Sequence, residues 1–202
     1  MMHRLEEAAG RPVSRETFGK LQAFVALLRE ANEGQNLVSA ATLSAVWDRH
    51  IVDSAQLVKY ESAGAASWLD IGSGAGLPGI VIACLVEGPV TLVEPRRLRA
   101  EFLHKVSESL ELKANILCAK AERVTGSFEM ITARAVARLT KLLEISAHLS
   151  TGKTVWALPK GRSALAELVE AKSAWQGEFR VEPSVTSDDS FVVVATKVRA
   201  RT

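Results

Sequence analysis

No run of about 18 uncharged, apolar residues occurs in the 202-residue chain, so no membrane-spanning helix is expected. The opening MMHRLEEAAG contains Glu6 and Glu7 and lacks an apolar centre, which argues against a secretion signal. Cysteine is scarce. Cys84 and Cys118 lie in apolar runs without metal-ligand spacing, so they read as a buried, reduced pair of small hydrophobic residues, as in cytoplasmic proteins. Excess charge of one sign is missing too. The net charge of +2 neither demands nor excludes a polyanionic partner. Repeats, low-complexity tracts and linkers are also absent. A composition of 48% hydrophobic and 24% charged residues suits one globular domain over 1–202.

What is present begins with helix. Ser14 is placed to cap one, and Phe18, Leu21, Val25 and Leu28 share a face. Asn32 to Asn36, around Gly34, reads as its break. A second helix is expected from Thr42 to Tyr60, completing a helical extension over 1–62 before a core over 63–202. From there β-prone runs alternate with helical ones. The expected strands are Ser67–Ile71, Val90–Glu94, Asn115–Ala119, Glu129–Ala133, Thr154–Leu158, Phe179–Val185 and Phe191–Lys197. The expected helices between them are Leu77–Leu85, Arg97–Leu110, Leu139–Leu149 and Ser163–Trp175. The last two strands have only Pro183 and Ser187–Ser190 between them. This pattern implies an α/β fold: a Rossmann-like, mostly parallel sheet of seven strands, with one antiparallel strand and helices on both faces.

Trp68-Leu69-Asp70-Ile71-Gly72-Ser73-Gly74-Ala75-Gly76 is the strongest signal. An apolar strand runs into a carboxylate and then three alternating glycines, where backbone can approach a ligand closely. Pro78 suits the first turn of the helix expected to follow at Leu77. Gly74 to Gly79 also fits G-x-G-x-x-G, the dinucleotide fingerprint. In that fingerprint the glycines usually follow the strand directly, whereas here Asp70 and Gly72 come first. Asp70 suits the cationic sulfonium and ammonium of S-adenosylmethionine, or else it simply caps the strand end. Glu94 closes the next strand, where a carboxylate accepts both hydroxyls of an adenosine ribose. Ala121-Glu122 follows the third strand, at an adenine edge or in solvent.

The fourth strand ends in Thr132-Ala133-Arg134-Ala135 rather than the Asn/Asp-Pro-Pro-aromatic signature of exocyclic-amine methyltransferases. Neither cysteine sits in a 5-methylcytosine enzyme motif. A transfer without covalent or acid–base help is what remains, and guanine N7 offers a free lone pair with no proton to remove. Basic residues crowd the carboxyl ends of the strands. Arg96, Arg97 and Arg99 follow the second, Arg134 and Arg138 the fourth, and Lys160 and Arg162 the fifth. Their convergence favours a polyanion held through phosphate contacts.

With these strings in view, the chain resembles the RsmG (GidB) family of bacterial 16S rRNA guanine-N7 methyltransferases over nearly its whole length. The resemblance rests on Asn36-Leu37-Val38-Ser39, Arg49-His50-Ile51-Val52-Asp53-Ser54, the Asp70–Gly79 loop, Glu94, Ala121-Glu122, Arg134-Ala135 and Pro159-Lys160-Gly161. It implies that S-adenosylmethionine is held by Gly72, Leu77, Ala121-Glu122 and Arg134, with Glu94 on the ribose. It also implies a guanosine target in the 530 loop of 16S rRNA or the small subunit, and a monomer. Val81 departs from the proline expected there. His50 and Asp53, three apart, either roof the donor pocket or form a structural pair. Two rival readings stay open at this point: an NAD-dependent oxidoreductase and a non-catalytic RNA-binding module.

Overall fold

The computed structural model describes residues 1–61 and 64–201, so the expected boundary at residues 62 and 63 lies outside the described residues. Seven strands form one sheet in the order β3-β2-β1-β4-β5-β7-β6. The strands are β1 (Trp68–Ile71), β2 (Val90–Val93), β3 (Ala114–Leu117), β4 (Met130–Ala133), β5 (Val155–Lys160), β6 (Trp175–Ser184) and β7 (Ser187–Ala200). Pairs among β1 to β5 are parallel. β7 runs antiparallel to both β5 and β6. This is the Rossmann-like layout expected, with one reversed strand. Strand order switches direction between β1 and β4, and ligands in open α/β sheets bind at such a point.

Alternation along the buried strands divides two apolar layers. Trp68, Leu92, Met130, Ala157, Val192 and Val194 join Leu5, Leu21, Phe24 and Leu28 of the N-terminal helices on one face. Leu69, Val93, Ile131, Trp156, Leu158 and Val193 face the other, under Leu142, Leu143 and Leu168. The N-terminal helices α1 (Met2–Ala9) and α2 (Arg15–Gln35) therefore belong to the same core as the sheet. Ser14 caps α2 by accepting the Thr17 N–H at 3.0 Å, as expected. The helix runs through Gly34 and stops at Asn36, whose φ of 47° is left-handed.

Several expected elements need correction. Thr42–Tyr60 is not one helix. It comprises α3 (Ala40–Leu43), a π-helical turn Trp47–Val52, α4 (Asp53–Ala55) and a 3₁₀ turn Gln56–Tyr60. The helix after the glycine loop, α5 (Gly79–Leu85), starts two residues late, after a cis Leu77–Pro78 bond. The remaining helices are α6 (Arg97–Ser109), α7 (Leu139–Ser146), which continues as a 3₁₀ turn over Ala147–Leu149, and α8 (Ala164–Ala174). The closing hairpin is longer than its apolar runs, because Glu178, Arg180, Asp188 and Asp189 sit within paired strands. The cysteines also differ from expectation: Cys84 is half-buried and Cys118 is exposed. Cys118 lies just beyond the carboxyl end of edge strand β3, where nothing packs over it.

Candidate functional site

The β1 strand delivers Asp70 into the interior, where it is 1% exposed. Its Oδ2 accepts the Gly79 N–H at 3.0 Å, so the carboxylate caps α5. Oδ1 has no partner. Burial pushes the Asp70 carboxyl up to about 7. The loop beyond it turns left-handed at Gly72, with φ of 66°. A Cβ there would lie 2.5 Å from Val136 Cγ2, so Gly72 meets the post-β4 loop directly. At Gly79 a Cβ would lie 2.5 Å from Asp70 Oδ2. The G-x-G-x-x-G match thus has a local cause: its last glycine makes room for the capping carboxylate.

Glu94, directly after β2, is 3% exposed. Its Oε2 accepts the Gly74 N–H at 2.9 Å and its Oε1 the Arg96 N–H at 2.8 Å. Both oxygens keep further lone pairs. The arrangement ties the end of β2 to the glycine loop that follows the neighbouring strand β1. Leu77 and Ala121 are buried nearby in sequence to these ends, while Glu122 is exposed on the 3₁₀ turn Ala121–Arg123. Gly76 is buried within the loop, at φ of 82°.

Arg134, the first residue past β4, reaches toward the N-terminal region. Its Nη1 lies 3.5 Å from Asp53 Oδ2 and donates to the Arg49 carbonyl at 3.4 Å. Asp53 Oδ1 in turn accepts from Gln56, Ser184 and Thr186. His50 and Asp53 therefore form no pair. The π-helical winding takes residues three apart off a common face, and Asp53 is occupied by other donors. His50 is 7% exposed, and neither ring nitrogen has a partner among the described residues. Burial first, then Arg134 and Arg49, lowers its pKa to about 4, so the ring is neutral near pH 7.

The segment after β4 is pinned from α8. Ala135 is left-handed at φ of 57°. Lys160 Nζ donates to the Ala137 carbonyl at 2.8 Å and to Glu167 Oε2 at 2.8 Å. The same Oε2 accepts the Leu139 N–H at 2.9 Å, and Ser163 donates to Oε1 at 2.7 Å. With both side chains 9% exposed, Lys160 is an internal tether and not part of a basic surface. Beyond the carboxyl ends of β4 and β5 lies a cavity of about 620 Å³, whose walls include Arg49, His50, Arg134, Lys160, Thr186 and Phe191.

The remaining basic residues divide into those paired with a carboxylate and those without one. Arg97 pairs with Glu101, Arg138 with Glu170 and Arg162 with Asp189, all exposed. Among the described residues, Arg49, Arg96 and Arg99 have no carboxylate within ion-pair distance. Arg99 is half-buried, and its Nη1 would be 3.5 Å from a Gly74 Cβ. The sequence reading passed over Arg49 as a cation, although it lies in the recognised RHIVDS string. It also missed Glu167 and Phe191, which reach the site only through the folding of α8 and β7.

Solved structures with this architecture include a SAM dependent methyltransferase from Aquifex aeolicus, with TM-score 0.62 at 14% identity, covering 76% of this chain and 93% of that one. Another is M. jannaschii TYW2 in complex with AdoMet, with TM-score 0.58 at 14% identity, covering 75% of this chain and 76% of that one. Sequence relatives are nearer. "Ribosomal RNA small subunit methyltransferase G" of Zymomonas mobilis is 46% identical, covering 94% of this chain and 90% of its own. The protein of the same name from Erythrobacter litoralis is 47% identical, over 91% and 89%. Residues 17–190 match the family described as GidB, rRNA small subunit methyltransferase G. With a match over that span and relatives well above 30% identity, the chain belongs to the rRNA small subunit methyltransferase G family.

Proposed function

We propose that the chain transfers a methyl group from S-adenosylmethionine to N7 of a guanosine in small-subunit (16S) rRNA. One observation carries the donor half: a buried carboxylate, Glu94, is fixed by the Gly74 and Arg96 amides at the carboxyl end of β2, beside β1. The residues fit an adenosine-bearing donor. Glu94 keeps lone pairs for two ribose hydroxyls, and left-handed Gly72 and Gly74 leave the loop without side chains where it meets a ligand. Asp70 holds the loop's shape through its α5 cap, and its unpartnered Oδ1 adds negative charge when ionised. Gly76, Leu77, Ala121, Glu122 and Arg134 complete the proposed set. When bound, the donor supplies an electrophilic methyl group.

The acceptor half rests on the relatives' printed names and on the chemistry of the cavity. N7 carries a lone pair and no proton, so the chain has to position it and not deprotonate it. His50, neutral down to about pH 4, is a weak base suited to that requirement. Exposed Arg96, Arg97, Arg138 and Arg162 are placed to meet phosphates. A monomer belongs to the same proposal. No helix among the described residues is long and apolar enough to cross a membrane, which agrees with a cytoplasmic setting. Family membership disfavours the oxidoreductase and the non-catalytic RNA-binding module alike.

Labelled methyl transfer to unmodified small-subunit rRNA, followed by strand scission at 7-methylguanosine, tests the proposal. The expected result is one modified guanosine. Label on an exocyclic amine or a ribose hydroxyl, or no label, overturns it.

A further inference from the structure

We infer that the cavity beyond β4 and β5 receives a single purine base unstacked from RNA, with Phe191 as its stacking platform and Arg49 holding an adjacent phosphate. The inference rests on the proposed guanosine methylation and deepens it. Enzymes that act on a base commonly lift it from its neighbours into a pocket, where it stacks on an aromatic or apolar side chain. The volume of about 620 Å³ lies within the ordinary range of ligand sites, roughly 300–1,000 Å³. Its position past the carboxyl ends of β4 and β5 is one strand along from Gly72 and two from Glu94, so donor and acceptor would meet across the Val136 segment.

Phe191 is the sole phenyl ring lining the cavity among the described residues. It opens the apolar part of β7, paired with Lys160 of β5 and Pro183 of β6. Strands on both sides fix its backbone, while the ring is only partly buried. Such a ring offers a base a rigid face at little cost in side-chain freedom.

Charge in the wall points the same way. Asp53 is matched by Arg134, and Glu167 by Lys160. Arg138 is engaged by Glu170. Arg49 is exposed and has no carboxylate partner among the described residues. Its backbone carbonyl is held by Arg134, so an unneutralised guanidinium is tethered by its main chain to the rim. A phosphate flanking an inserted base is the anion that fits it.

The test uses the full chain with Phe191→Leu, Phe191→Tyr and Arg49→Gln. Two assays run side by side: methyl transfer to unmodified small-subunit rRNA, and binding of a short guanosine-containing RNA by fluorescence anisotropy. Phe191→Leu should weaken RNA binding and raise the RNA KM at least fivefold, leaving S-adenosylmethionine affinity and the thermal midpoint within error. Phe191→Tyr should restore both RNA constants to within about twofold. Arg49→Gln should weaken RNA binding and lower the slope of log K against log salt by roughly 0.7–0.9. Wild-type RNA constants in Phe191→Leu and an unchanged salt slope in Arg49→Gln would overturn the inference. If the unaltered chain transfers no methyl group, the parent reading fails. The anisotropy series then still decides whether the cavity holds RNA.

Discussion

Asp70 and His50 are both buried on the sheet face covered by the N-terminal helices, and they titrate in opposite senses. Between about pH 4 and 7 the folded chain keeps an Asp70 proton that the unfolded chain gives up, so this contribution to stability falls as pH rises. Between about pH 4 and 6.5 the unfolded chain carries a His50 proton that the folded chain refuses, so this contribution grows as pH rises. The two slopes oppose each other over nearly the same window. Asp70→Asn should expose the histidine slope, with urea-determined stability climbing by about 1.4 kcal/mol per pH unit from about pH 4 to 6.5. His50→Gln should show the reverse slope; two flat profiles would contradict these titrations. Glu94 bears on the proposed donor site. Glu94→Ala should cost about 1.5–3 kcal/mol of S-adenosylmethionine affinity by calorimetry, the value of charged hydrogen bonds to the ribose. An unchanged affinity would leave Glu94 only its ties to the Gly74 and Arg96 amides. Asp70 and Glu94 were legible in sequence because each ends an apolar strand. The environment of His50 was not legible, since it depends on the distant charge of Arg134 and on a π-helical turn that no periodicity announces.

The post-β4 segment shows what a single element's sequence conceals. Lys160 follows an apolar strand and Glu167 lies on a helix with exposed Leu165 and Val169, so neither announces an internal pair. Their seven-residue separation spans a strand end, a turn and the start of α8, and only the folded chain brings them to Ala137 and Leu139. Glu167→Ala leaves the Lys160 ammonium buried without its counter-ion and the Leu139 amide without an acceptor. It should therefore destabilise the chain by about 3–5 kcal/mol in urea. Replacing both, as Lys160→Met with Glu167→Leu, should cost clearly less. A double variant as unstable as the single one would show that the pair is not the source of the loss. The β6–β7 hairpin was foreseen in place but not in length, because charged residues on its paired strands masked the alternation that marks shorter strands.

Across the whole molecule, Trp68 and Trp156 report on opposite sides of the sheet, each at most 1% exposed. We expect their fluorescence, isolated by Trp→Phe replacement elsewhere, to change at one urea concentration, because helices α1 and α2 share a core with the strands. Separate midpoints would show that the two layers unfold independently. Alternating strands and helices made the parallel sheet readable, whereas the bonds that close its open side were unreadable, since they join residues far apart. The Gln56 side chain donates to Ser184 at 2.9 Å and accepts the Val185 N–H at 3.1 Å, and Asp53 accepts from Thr186 at 3.0 Å. These bonds have a consequence for synthesis, which proceeds from the N-terminus. A growing chain halted after β4 already holds Asp70, Glu94 and the glycine loop. The β7 wall with Phe191 is still unmade, and Asp53 and Gln56 wait for acceptors and donors not yet translated. The proposed adenosine side of the site is therefore encoded before the Phe191 wall, and a nascent chain that bound its small ligand early would lack that wall at which to receive a base.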